Sequence, residues 1–442
     1  MAIRSIPEFA FLYPIGFDTP LYFAMGKEWA RHPLPFPLFV SLLGALYSLG
    51  IDLVVAMKFI PTLVYGFLGV ASFLFAKNYL TWETLNSLLA SLTLSLSIAM
   101  LRMSWDMHKL TLGVALMLLS LSFWRGLRDI REKLLFSVLS ILTMFSHELI
   151  TVTYLLTLVL FVLRKDENRV LALTIFLIGA TCFLGAWYGS RLEIVFGWIS
   201  TIFKSASFSS FTHELYTNGI LIMKLYLPML PILMIGLFRD DAVNVWTAFY
   251  LLGSLSTIIS SSFILGGVLP WRYILLLIIP FSIYVARGAT ILSKRIRIGR
   301  RSLWALIVIL IVNFPSYSFL TSLGSPIFYE YEGIMPEHMV QTSIPLWDIE
   351  PALKLLKNVN EGVLIVYGDF IGWAKYLSNA KVVTFGGTYQ QAQTLEDAMR
   401  LLDGEKNIYL LYWDDSVAAK LGFKVIATNG NLRLYKYGGS AA

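Results

Sequence analysis

Residues 134–163 read LLFSVLSILTMFSHELITVTYLLTLVLFVL, thirty residues whose only ionisable side chains are His147 and Glu148. As one helix the stretch would be about 45 Å long. That is too long for a hydrocarbon core of about 30 Å without steep tilt. Both flanks are basic, with Arg131 and Lys133 before it and Arg164, Lys165 and Arg169 after it. A single crossing would put one of those flanks outside, against the positive-inside rule. Two helices that turn at His147-Glu148 keep both flanks cytoplasmic. Each would be only about 22 Å long, so the turn lies below the outer surface. Irregular backbone is tolerated there only against protein or water.

The rest of the chain fits that reading. Of 442 residues, 57% are hydrophobic and only 14% charged, against about 25% charged in soluble proteins. The mean hydropathy is +0.69. Such a composition excludes a disordered or collagen-like chain and an ordinary soluble enzyme, and predicts an α-helical polytopic membrane protein. One cysteine, Cys182, excludes a disulfide framework and a cysteine metal site.

About ten transmembrane helices are expected, near 56–76, 84–101, 110–124, 134–146, 149–163, 170–190, 219–238, 243–264, 268–289 and 303–323. Alternate connectors (77–83, 125–133, 164–169, 239–242 and 290–302) carry fourteen basic residues; the others carry four. The net charge of +7 therefore serves topology and calls for no nucleic acid. The first set is cytoplasmic, which places the N-terminal segment and everything after 323 outside. Segment 36–50, bracketed by Pro33, Pro35, Pro37 and Asp52, is expected as a juxtamembrane or half-inserted helix.

Beyond the apolar region the pattern shifts to short mixed elements. Helices are expected at 348–358, near 371–378 and at 394–402, with strands at 363–367, 381–385, 407–412, 423–427 and 431–436. This predicts a small C-terminal α/β domain. The expected organisation is a first extracytoplasmic loop with its juxtamembrane helix (1–55), a transmembrane domain (56–323), a linker (324–347) and an extracytoplasmic α/β domain (348–442). The chain would be a multi-pass protein of the cell membrane.

Ionisable groups at membrane depth cost roughly 2.5–3.5 kcal/mol each on insertion scales and default to functional candidates. Here they fall on the outer face: Asp18 in Gly16-Phe17-Asp18-Thr19-Pro20, Asp106 and His108 in Ser104-Trp105-Asp106-Met107-His108-Lys109, His147-Glu148, and Arg272 in Pro270-Trp271-Arg272-Tyr273. Each has a plainer reading. Asp18 can open a turn or cap a helix near Leu21, and Asp106 can be a solvated loop acid. His147-Glu148 can satisfy a tight turn, and Arg272 can snorkel to the interface. Together, on one side, they read better as the lip of one cavity.

Two carboxylates and a cation suit a lipid-linked substrate with its tails in the bilayer and its phosphate at the interface. Arginine would neutralise the phosphate as a leaving group, and a carboxylate would take the acceptor's proton. A second carboxylate would position the acceptor or hold a divalent metal (Mg or Mn). No P-loop, GxSxG or HExxH competes.

The order of these residues resembles the GT-C membrane glycosyltransferases. An acid lies in a first outer loop (Glu8 to Asp18), then a proline-rich apolar helix (Pro33 to Leu49), then a span. A second acid follows a Ser-Trp pair in the next outer loop. The family includes protein mannosyltransferases, aminoarabinose transferases and oligosaccharyltransferase catalytic subunits, and the likeness is above all to archaeal members.

The resemblance covers about residues 1–323. It implies Asp18 as the catalytic acid of the first loop, Asp106 as the second acid and Arg272 as the donor-phosphate ligand. Glu8, His108, His147 and Glu148 would be pocket residues. The family begins with a membrane helix before its first loop, so one is expected ahead of Met1. A lone Asp18 stands where the family has an acid-x-acid pair. No WWDYG-type motif is present, and Tyr412-Trp413-Asp414-Asp415 reads as a strand end.

The expected function is transfer of a single sugar from a polyprenyl- or dolichyl-phosphate donor to a glycan, lipid or protein acceptor. Membrane lipids are the other expected partners. The alternatives are a polytopic transporter or lipid flippase, disfavoured by the absence of an internal repeat, and a truncated, inactive GT-C homologue.

Overall fold

A computed structural model of the chain describes residues 1–183, 185, 208–255, 270–295 and 342–438, apart from 2, 3, 6, 7, 10, 34–36, 239, 360, 388, 403, 404, 406 and 414. The protein is mostly helical, with a small C-terminal sheet domain. The expected span 303–323, the linker up to residue 341, the connector 265–267 and the distal parts of spans 170–190 and 243–264 lie outside the described residues.

The stretch 134–163 does split. Helix α7 (Ile130–Met144) and helix α8 (Glu148–Leu163) are joined by a turn at 145–147. His147 takes an extended backbone and its Nδ1 accepts the Leu149 N–H at 3.1 Å, so the imidazole caps α8. Thr151 Oγ1 donates to Met144 O at 2.8 Å and ties the two ends together. At its start α7 carries a capping box, in which Glu132 N–H donates to Asp129 Oδ1 at 2.8 Å and Glu132 reaches back to Asp129 N–H.

The helices before this pair are α1 (Thr19–Arg31), α2 (Leu38–Ser48), α3 (Leu53–Leu74, continued by a π-helical turn Phe75–Tyr79), α4 (Thr84–Leu96), α5 (Ile98–Asp106) and α6 (His108–Ser122). After it come α9 (Arg169–Phe183), α10 (Phe208–Tyr226), α11 (Leu230–Gly236), α12 (Asp241–Leu255), α13 (Pro270–Leu276) and α14 (Ile278–Arg295). Asp52 begins α3 by accepting the Val54 N–H at 2.7 Å. The expected span 84–101 is two helices bent by 57°. Ser97 is extended between them, and its Oγ restarts the helix by accepting Met100 N–H at 3.2 Å.

The count of about ten spans is not confirmed. Among the described residues two helices are long and apolar enough to cross a membrane, Leu53–Tyr79 and Trp271–Arg295, or three if the bent pair α4–α5 is one span. The physical reason is length: α6, α7 and α9 have 15 residues and α8 has 16, about 22–24 Å each. Helix α2, with 11 residues, covers only about half of a bilayer core.

Hydroxyls join the short helices. Ser120 of α6, Ser140 of α7 and Tyr154 of α8 lie within 2.6–3.2 Å of one another. Helix α12 joins α8 through Trp246 Nε1 to Thr157 at 2.8 Å and Tyr250 Oη to Thr153 at 3.2 Å. The opposite ends of these helices gather Trp124 stacked on Phe161 at 4.1 Å, Arg125 over Tyr79, Trp124 bonded to Asp166, and Arg164 paired with Asp241. Connectors 77–83, 125–133 and 164–169 thus meet the start of α12 at one end, and the turn at 145–147 lies at the other.

The C-terminal sheet has strands β1 (Val363–Tyr367), β2 (Lys381–Phe385), β3 (Ile408–Tyr412), β4 (Phe423–Asn429) and β5 (Leu432–Tyr437), in the order β2-β1-β3-β5-β4. The first three are parallel, and β5 pairs antiparallel with β3 and β4. Helices α15 (Leu346–Leu356), α16 (Ile371–Leu377), α17 (Leu395–Arg400) and α18 (Asp415–Lys420) connect and cover it.

One buried cluster is shared between this domain and the N-terminal helices. It unites Tyr22, Phe23, Phe39 and Leu43 with Ile349, Trp373, Leu411 and Leu434. A Cβ at Gly372 of α16 would lie 2.4 Å from the Pro20 carbonyl carbon, and Lys27 Nζ donates to Tyr376 O at 2.7 Å.

Helices α11 and α14 cross backbone to backbone. A Cβ at Gly288 would lie 2.0 Å from Ile232 O, and one at Gly236 would lie 1.8 Å from Tyr284 O. Small residues permit such contact where helices pack in lipid. Gly288→Ala should destabilise the protein by about 1–3 kcal/mol, read as a lower Tm in detergent. Gly219→Ala, whose Cβ would meet nothing within 4 Å, should not; equal Tm values for the two variants would contradict the crossing.

Candidate functional site

The site is built on a short docking contact. Gly16 adopts φ +110°, and a Cβ there would lie 2.1 Å from Trp105 O, so the chain can lie against the end of α5 only as glycine. The next residue, Phe17, donates its N–H to Asp106 Oδ1. The other carboxylate oxygen of Asp106 pairs with Arg102 one turn earlier on α5. Both acid oxygens are therefore committed, and Asp18 is delivered beside them at the head of α1.

A second, deeper brace holds the same segment. Arg4 and Glu8 are fully buried and paired at 2.6 Å. Arg4 also donates to Thr62 Oγ1 at 3.1 Å and to Ser104 O at 3.3 Å. Glu8 accepts the Ile15 N–H at 3.2 Å, and Trp105 Nε1 donates to Arg4 O at 3.1 Å. Breaking a buried pair of this kind costs about 3–5 kcal/mol, enough to fix the path of the chain into Gly16.

Around Asp18 four elements converge. The charges that bear on it are those of Asp106 (α5), Lys109 (α6) and Arg272 (α13), together with the Tyr389 hydroxyl from the sheet domain, which donates to Asp18 Oδ1. Burial raises the Asp18 carboxyl above the ordinary range, and the neighbouring Asp106 charge adds to this; Tyr389, Arg272 and Lys109 pull the other way. Tyr389 is itself pushed upward by burial and by Asp18, so it remains a protonated donor.

Lys109 and Arg272 also bear on His147 and Glu148. His147 Nδ1 lies 3.6 Å from Glu148 Oε2; since that nitrogen already accepts the Leu149 N–H, the contact is not a donated hydrogen bond. Among the described residues, Arg272 Nε and Glu148 Oε2 are buried without a hydrogen-bond partner. Arg272 lies over its neighbour Trp271, 5.5 Å from the ring centre. An arginine with an unpartnered buried nitrogen beside an acid is suited to an anion that neither side chain supplies.

Asp18, Asp106, Arg272, His147 and Glu148 are thus brought into one neighbourhood. Glu8 and His108 are not. Glu8 belongs to the Arg4 brace. His108 is stacked on Phe39 at 5.4 Å, lies 5.3 Å from Tyr22, and contacts Thr19 Oγ1 through Nε2 at 3.2 Å; it joins α1, α2 and α6 by packing.

Sequence reading missed Arg102, Lys109 and Tyr389. Lys109 stood in the quoted motif around Asp106, and Arg102 lies two residues before that motif. The signal for Tyr389 was Gly386-Gly387 directly after β2, both at positive φ.

A divalent ion held by Asp18 and Asp106 would share their oxygens with the hydrogen bonds these carboxylates already accept. Asp106 has spent both oxygens on Phe17 and Arg102, and Asp18 Oδ1 is taken by Tyr389. Among the described residues no group of three or more His, Cys, Asp or Glu side chains could hold a metal. The described side chains themselves place a carboxylate near two cations.

No family model and no curated protein matches the chain. Among solved structures it is similar to the Archaeoglobus fulgidus oligosaccharyltransferase, crystallised in complex with Zn and sulfate, at 12% identity and a TM-score of 0.46. The alignment covers 90% of this chain and 64% of that one, so the chain spans less than two thirds of the length of the protein it matches.

Proposed function

We propose that the chain is an integral membrane glycosyltransferase. It moves a sugar from a polyprenyl- or dolichyl-phosphate donor to an acceptor on the extracytoplasmic face, where the sheet domain also lies. The observation that carries this reading is the acid beside a cation: Asp18 under the influence of Arg272 and Lys109, with Arg272 Nε buried and unpartnered among the described residues. The order of these residues along the chain, which resembles GT-C glycosyltransferases, also supports it.

In this reaction the acceptor hydroxyl attacks the anomeric carbon of the donor sugar as its proton passes to Asp18. The bond from that carbon to the phosphate oxygen breaks, and its electron pair leaves on the phosphate. Arg272 and Lys109 hold the charge that develops there. Displacement from the side opposite the phosphate inverts the sugar. Asp106 acts by fixing the Gly16–Asp18 segment, and His147 and Glu148 form the wall at the head of α8.

Purified protein in detergent, incubated with radiolabelled dolichyl-phosphate mannose and dolichyl-phosphate glucose, should release label into product. Asp18→Asn should reduce that turnover by about 10²–10⁴-fold, the contribution of a positioned base, while leaving the protein folded. Full activity in this variant would refute the assignment.

The pH dependence follows from the direction of the Asp18 shift. The base works only when ionised, so turnover should fall as pH drops through its carboxyl pKa. With that pKa raised, the acid limb should lie above the ordinary aspartate value of about 4. A limb at or below that value would contradict the buried placement of Asp18.

A further inference from the structure

Tyr389 lies 371 residues from Asp18 in sequence, yet its hydroxyl donates to Asp18 Oδ1. The loop that carries it is built rather than draped. Gly386 and Gly387, at φ +55° and +68°, wrap the Tyr367 ring, where a Cβ on either would come within 2.7 and 2.9 Å of ring carbons. Gly368 lets the loop close, since a Cβ there would lie 2.4 Å from Gly386 O and 3.1 Å from Tyr389 N. Thr384 Oγ1 donates to Tyr389 O at 2.7 Å and accepts the Gln391 N–H at 3.1 Å. The Tyr389 ring also lies 5.9 Å from that of Phe17. Sheet, loop and phenol therefore form one rigid arm that ends on Asp18.

We propose that Tyr389 is a positioning residue of the transfer reaction, so that the C-terminal sheet domain is an obligatory part of the site. The phenol fixes one carboxylate oxygen. It leaves Oδ2, which accepts no hydrogen bond among the described residues, to meet the acceptor proton. The other groups whose charges reach Asp18 (Asp106, Arg272, Lys109 and, on its own helix, Tyr22) come from elements that do not grip the carboxylate directly. Among the described residues the phenol is the one side chain that donates a hydrogen bond to it. This rests on the base role of Asp18 given above.

The test uses the full chain in detergent with the same two radiolabelled donors. Tyr389→Phe keeps the ring against Phe17 and removes only the hydroxyl. It should lower kcat by roughly 10- to 100-fold, the equivalent of one hydrogen bond to a charged group, at unchanged KM for the donor. Gly387→Ala keeps the hydroxyl but displaces the arm, and should reproduce the loss; the two changes combined should be no worse than either alone.

If Asp18→Asn is inactive while Tyr389→Phe keeps wild-type kcat, the Tyr389 inference alone is overturned. If Asp18→Asn is active, the base role fails and this inference falls with it. Without any donor, the Tm shifts of Asp18→Asn and Tyr389→Phe should fail to add in the double variant. Shifts that add overturn the contact itself.

Discussion

The Asp106 carboxylate is the point on which the site depends. One oxygen takes the Phe17 N–H and the other takes Arg102. The bare backbone of Gly16 lies against Trp105 O because no Cβ intervenes. A charge-assisted hydrogen bond to a backbone N–H in a buried setting is among the stronger single contacts available. It fixes the last residues before Asp18 against the end of α5, beyond the reach of the Arg4–Glu8 brace. The Arg4–Glu8 pair holds the approach to this contact and does not replace it.

The helical body has two unlike ends. One gathers Asp106, Lys109, the 145–147 turn and Arg272; the other gathers Trp124, Arg125, Arg164 and Asp241. The division follows from the turn at His147, because two short helices return the chain to the end from which it came. The sheet domain closes on the first of these ends. It shares a buried cluster with α1 and α2 and sends Tyr389 onto Asp18. Three parts of the chain far apart in sequence therefore meet at one carboxylate.

Much of this was legible in the sequence, for reasons of period and length. The break at His147-Glu148 was forced by thirty apolar residues between two basic flanks, and α7 and α8 appear on either side of it. Strands β1 and β2 fall at 363–367 and 381–385 as their apolar runs bounded by turn residues implied. Helix α18 was not foreseen. The span count is confirmed only in part among the described residues, because hydropathy measures apolarity over a window whereas crossing requires uninterrupted helix, and Ser97 interrupts one such stretch.

In the site, Asp18, Asp106, Arg272 and the His147-Glu148 pair stood out as charges in apolar surroundings. Glu8 and His108 looked the same, but local partners absorb them: Arg4 in one case and the Phe39 ring in the other. Sequence gives the cost of a buried charge without its partner. Tyr389 had only the Gly386-Gly387 turn ahead of it as a signal, and a turn after a strand carries no sign of the long-range contact made beyond it.

The central claim is that Arg272 receives a lipid phosphate beside Asp18. It is tested most directly by the equilibrium dissociation constant of dolichyl phosphate from the purified chain, measured by native mass spectrometry for the wild type and for Arg272→Gln. The account predicts that the wild type binds and that the variant binds at least about tenfold more weakly, the equivalent of about 1.4 kcal/mol. Equal affinity in the two proteins would contradict it.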